Sequence, residues 1–80
     1  MTEAEVLGTL TRIFRDVFQN ETLVAAPDMT AGDVDGWDSL SHVDMMVLVE
    51  EAFRIRFSTR EVTGLKDVGD LVRLVLAKTP

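Results

Sequence analysis

Few side chains in this sequence could take part in covalent chemistry, and they gather in one place. Ser39 lies in Gly36-Trp37-Asp38-Ser39-Leu40, where an acidic stretch without period gives way to an apolar-periodic one. A hydroxyl there falls in the first turn of a helix, where free backbone N–H groups and the positive end of the dipole favour a phosphate. His42 is the single histidine and there is no cysteine, which removes disulfides, thiolate metal sites and cysteine nucleophiles and makes a histidine-built metal site improbable. Ser39 has no adjacent general base and no oxyanion-hole signature, so nothing in the sequence activates it for hydrolysis. It reads as a point of attachment, acted on by other proteins, and the chain reads as no enzyme.

The elements that must position Ser39 follow from the hydrophobic pattern. Thr2 with Glu5 makes a capping box, and Val6, Leu10, Ile13, Phe14, Val17 and Phe18 recur at helical spacing, predicting a first helix from about Glu3 to about Gln19. Gly8 inside it points to a close passage of another backbone. From Asn20 to Asp38 no period survives, and Pro27-Asp28, Ala31-Gly32-Asp33 and Asp35-Gly36 are turn signals. A connection this long implies a packed loop, with Leu23, Val24, Met29 and Val34 pinning it to the helices and a short helical turn near Thr30 to Val34. Trp37 is its expected anchor.

Asp38 is the expected N-cap of a second helix from about Ser39 to about Phe53. His42, Met45, Met46, Val49 and Phe53 fall on one side as a buried stripe, with the methionines as adaptable filler and the histidine as a packed, structural residue. Asp44, Glu50, Glu51 and Arg54 lie opposite, and so do Leu40, Val43 and Val47. Apolar side chains among carboxylates on an outward face imply a contact patch with an acidic rim. Ser58 with Glu61 predicts a short helical turn over about Thr59 to Val62. Asp67 caps a last helix through about Ala77, with Val68, Leu71, Val72 and Val75 as its core stripe. The fold class is all-α: a small four-helix bundle, three long helices plus one short, with a long loop between the first and second. Residues 1–80 are expected to form one domain.

Composition narrows the function further. The chain has 80 residues, 46% hydrophobic and 28% charged, which is a folded composition too small for an enclosed substrate pocket. No apolar run is long enough to cross a bilayer and the start lacks a cationic export signal, so a cytoplasmic protein without membrane contact is expected. The net charge is −6, and between Arg15 and Arg54 there is no lysine or arginine. Such a face repels nucleic acid and attracts basic protein partners. Arg54 and Arg56 read as a solvated helix end favourable to the dipole of the second helix.

Asp38-Ser39-Leu40, with the helix after it, the acidity and the helix order around it, resembles the acyl carrier protein family over nearly the whole chain, as far as Val68-Gly69-Asp70-Leu71-Val72. The resemblance implies that Ser39 receives 4′-phosphopantetheine from coenzyme A through a phosphodiester, placed by a phosphopantetheinyl transferase, and that the thiol of the arm carries acyl groups as thioesters. It also implies a monomer whose partners dock on Leu40, Val43, Asp44, Val47, Glu50 and Glu51: the transferase, and acyl-loading and acyl-processing enzymes with basic docking patches.

Some positions depart from the carriers of housekeeping fatty acid synthesis. Ser41 and His42 stand where those usually have an acid, and Phe53-Arg54-Ile55-Arg56 replaces a Phe-Gly-Ile that continues acidic. Gly36-Trp37 before the Asp-Ser resembles carriers of polyketide or other specialised acyl pathways. A peptidyl or aminoacyl carrier is the alternative, although those more often show Gly-Gly-His-Ser or Gly-Gly-Asp-Ser. Two readings of other classes are an unmodified helical interaction module and a calcium loop on Asp33, Asp35 and Asp44. The latter places Trp37 and Asp38 where a ligand and a glycine belong. No metal is expected.

Overall fold

Thr2 opens the first helix, α1 (Glu3–Phe18): its hydroxyl accepts from the Glu5 N–H while the Glu5 carboxylate receives the Thr2 N–H. In this computed structural model, which describes residues 1–80, α1 is followed by a 3-10 turn (Ala31–Asp33) and then by α2 (Ser39–Phe53), α3 (Thr59–Thr63) and α4 (Val68–Lys78). There is no strand, and the order is the expected three long helices and one short. Each helix starts on a side-chain cap, from Thr2, Asp38, Ser58 and Asp67 respectively. Such caps satisfy the amide donors that a helix cannot satisfy itself.

One apolar stripe from each long helix meets in a single core. Val6, Leu10 and Phe14 of α1, Met45, Met46 and Val49 of α2, and Val68, Leu71, Val72 and Val75 of α4 are all buried, and α1 packs on both α2 and α4. α3 contributes only the half-buried Val62 to this core.

The long connection is held by hydrogen bonds as well as by packing. Arg15 Nε donates to Leu23 O at 2.7 Å, and the Ala25 N–H donates to Thr11 Oγ1 at 3.0 Å. At the other end, the N–H groups of Val68 and Gly69 donate to Met29 O and Pro27 O at 2.9 and 2.8 Å, fastening the loop to the start of α4. Gly69 permits that approach, because a Cβ there would lie 3.0 Å from Pro27 O. Leu23, Met29 and Val34 pin the loop as expected, but Val24 does not: it is exposed, and Ala25 is buried in its place. Gly8 also departs from expectation, since nothing lies within 4 Å of where its Cβ would be.

Candidate functional site

The approach to Ser39 is built from aromatic contacts. Gly36 takes φ +89°, a conformation that side chains resist, and delivers Trp37 into the angle between α1 and α2. The indole packs edge-on against Phe14 (5.5 Å between ring centres), tilted on Phe18 (5.4 Å) and stacked on His42 (6.0 Å). Its Nε1–H donates to His42 Nδ1 at 3.1 Å, and the other ring nitrogen of His42 lies 2.9 Å from Val62 O. Because Nδ1 accepts, Nε2 must carry the proton that reaches Val62 O. His42 therefore ties the loop before Ser39 to α3, the structural role expected of it.

Asp38 and Ser41 then close the start of α2 on themselves. The Asp38 carboxylate accepts the Ser41 N–H (2.9 Å), and Ser41 Oγ accepts the Asp38 N–H (2.9 Å) while donating to Gly36 O (2.8 Å). The Ser41 N–H and hydroxyl, with the Leu40 N–H, hold the Asp38 carboxyl below the usual aspartate range. The Asp38 carboxylate thus takes up the Ser41 N–H, one of the amides expected to be free at the head of α2. Ser41, three residues on, completes this box where a Glu or Gln is the commoner partner, so the reciprocal bond did not stand out in the sequence.

Ser39, between these partners, is exposed and its hydroxyl makes no hydrogen bond within the chain. Beside it opens a cleft of about 430 Å³ between the start of α2, α3 and the start of α4. Trp37, Val43, Met45, Val62, Leu65 and Leu71 form its apolar lining.

Along α2 the outward residues separate into two kinds. Leu40, Val43 and Val47 are 74%, 54% and 46% exposed, far beyond what core packing requires, and Asp44 and Glu51 are exposed among them. Glu50 differs from the expectation. It is half-buried, and its carboxylate accepts the Phe57 N–H at 2.7 Å, so that it pins the chain after α2 instead of standing free on the face. A bond seven residues away is not visible in a helical wheel. Asp33 likewise is engaged, bonding Thr30, and no three potential metal-binding side chains converge anywhere in the chain.

Ser39 thus stands exposed beside an apolar cleft at the head of α2. Comparison with known proteins places this helical fold in a family. No family model matches the chain. It is 34% identical over 79 residues to the acyl carrier protein of Acidothermus cellulolyticus, covering 99% of this chain and 94% of that one. It is 28% identical to the meromycolate extension acyl carrier protein of Mycolicibacterium smegmatis, over 92% of this chain and 75% of that one. A solution structure of holo acyl carrier protein from Geobacter metallireducens superposes with a TM-score of 0.84 at 44% identity, covering 91% of this chain and 84% of the other. The chain belongs to the acyl carrier protein family. Its members are non-catalytic carriers whose prosthetic group is 4′-phosphopantetheine.

Proposed function

We propose that Ser39 is the residue that bears 4′-phosphopantetheine and that the chain passes acyl groups among enzymes of a polyketide or other specialised acyl pathway in the cytoplasm. The observation that carries this reading is the unbonded, exposed Ser39 hydroxyl at the head of α2. In the attachment step the Ser39 Oγ–phosphorus bond forms as the pyrophosphate bond of coenzyme A breaks. Adenosine 3′,5′-bisphosphate leaves, and the hydroxyl proton passes to a base of the transferase. When bound, the arm supplies a thiol that holds acyl groups as thioesters. The neighbouring cleft, with its apolar lining, offers shelter to a chain carried on the arm.

Docking falls to the outward face of α2. Leu40, Val43 and Val47 supply short-range contact, and Asp44 and Glu51 steer basic patches toward Ser39. The specialised pathway is supported by Ser41 and His42, which serve the cap and the Trp37–Val62 tie where housekeeping carriers place an acid. The test is intact-mass analysis after incubation with coenzyme A and a broad-specificity transferase. The chain gains one phosphopantetheine and Ser39→Ala gains none; no gain in the native chain overturns the proposal.

A further inference from the structure

Both ring nitrogens of His42 are engaged by partners that dictate its charge. The Trp37 indole can only donate and the Val62 carbonyl can only accept, so the bridge between them exists for one form of the ring alone: neutral, with its proton on Nε2. Histidine is the only side chain that ordinarily changes charge between about pH 5 and 8, and this chain has one. The ring is half-buried, so protons reach it from solvent.

A second proton must land on Nδ1, where it faces the Trp37 N–H across 3.1 Å, donor against donor. On the other side the bond keeps its sense, because Nε2–H still points at Val62 O. The bridge therefore breaks unevenly: protonation severs the tie to the loop and spares the tie to α3. No charged side chain bonds the ring in either form. Asp38, Lys66 and Asp67 line the same cleft, but the Asp38 carboxylate holds the Ser41 N–H and the Asp67 carboxylate holds the Asp70 N–H. From α3, Arg60 stands in solvent and Glu61 pairs with Lys78. α1 meets the indole through Phe14 and Phe18, which carry no charge.

Trp37 is also a wall of the cleft, and it precedes Ser39 by two residues. Its indole makes no other hydrogen bond, and its contacts with Phe14 and Phe18 are ring packing without a fixed direction. We propose that His42 is the positioning residue of this wall and that a proton controls it. Neutral, it holds Trp37 across the cleft beside Ser39; protonated, it releases the indole and opens the cleft at the end nearest the attached arm, while α3 stays on α2. As regulation of that site, this rests on the reading that Ser39 bears the arm.

The unmodified chain tests the device apart from the arm, and its single tryptophan and single histidine give unmixed signals. Indole N–H exchange is followed by NMR, and acrylamide quenching by fluorescence, between about pH 7.5 and about pH 5.5, within the ordinary range of histidine and above that of carboxylates. His42→Gln is the control, since its amide keeps an acceptor and a donor and takes up no proton. As the imidazole titrates, the native indole N–H exchanges about fivefold faster than that of His42→Gln at the same pH, the scale of one lost hydrogen bond. Quenching rises at the same midpoint, and the α3 amides keep their shifts. His42→Gln shows neither change. An indole that stays in place through the imidazole titration, an equal change in His42→Gln, or α3 shifting together with Trp37 overturns the proposal. Should His42→Gln fail to fold, the native titration decides alone, by whether indole and imidazole share a midpoint. With an octanoyl arm on Ser39, hydroxylamine cleaves the thioester faster at the lower pH, relative to octanoyl coenzyme A, and His42→Gln abolishes the difference; an unchanged ratio overturns the role at the site. A chain that takes no arm loses its carrier role, and the latch stands or falls on the indole.

Discussion

The helices α1 and α2 are nearly equal in length, 16 and 15 residues, and use their apolar side chains differently. α1 buries Val6, Leu10 and Phe14 completely and turns Glu3, Glu5, Arg12, Arg15 and Asp16 to solvent. α2 buries Met45, Met46 and Val49 to the same degree, yet leaves Leu40, Val43, Val47 and Leu48 exposed as well. A helix that serves only the core needs one apolar face. The second face of α2 gains little from folding, because its side chains are wet before and after. What it offers is a surface that another protein can dry, beginning one residue from the serine.

That contrast predicts where damage falls. Phe14→Ala removes a fully buried ring that touches both Phe18 and Trp37. It should cost about 3–5 kcal/mol in urea unfolding, a large part of the roughly 5–15 kcal/mol of an ordinary domain. Trp37 would lose its seat at the same time, so the loop before Ser39 should loosen even in the surviving folded molecules. Val43→Ser with Val47→Ser should do the reverse: stability unchanged within about 0.5 kcal/mol per site, and acyl transfer to a partner enzyme slowed several-fold. If the valines prove as costly to stability as Phe14, the distinction between the two helices collapses.

Which parts of this could be read in the sequence depended on how far apart the partners lie. The caps at Thr2, Asp38, Ser58 and Asp67 were legible because donor and acceptor sit three residues apart, and the core stripes because their period is local. Ser39 was legible as an exposed hydroxyl for the same reason. Contacts that cross between elements were not. The bond from Phe57 to Glu50 withdraws a carboxylate from the outward face of α2, and that from His42 to Val62 crosses from α2 to α3. The choice of Ala25 over Val24 as the buried loop residue follows from Thr11 capturing the Ala25 N–H, which hydrophobicity alone reverses.

Gly8 sharpens the comparison on the side of α1. Its exposed position, with nothing within 4 Å of a Cβ, leaves no packing reason for glycine. Gly8→Ala should stabilise the fold by about 1 kcal/mol, the propensity difference in a helix interior, seen as a higher urea midpoint at unchanged slope. Transfer to partners should not change. A loss of transfer would mean that partner enzymes touch α1.

The smallest effect concerns the head of α2 and appears only in acid. The Ser41 N–H and hydroxyl, with the Leu40 N–H, favour the ionised Asp38 carboxyl and lower its pKa in the folded chain. The sign follows directly: a group whose folded pKa is depressed stabilises the fold above its unfolded value, near 3.9 for aspartate, and that contribution fades as pH falls through the folded value. Carboxyl chemical shifts should therefore place the Asp38 midpoint below that of the same residue in the unfolded chain, with the Leu40 and Ser41 amides shifting at the same midpoint. Ser41→Ala removes the hydroxyl while keeping the N–H, so it should raise the midpoint part of the way back. Near neutral pH the Asp38 carboxylate is ionised and holds the residue-41 N–H in both proteins, and modification at Ser39 should proceed at the same rate. A rate that tracked the Asp38 titration would instead make the carboxylate part of what the transferase recognises.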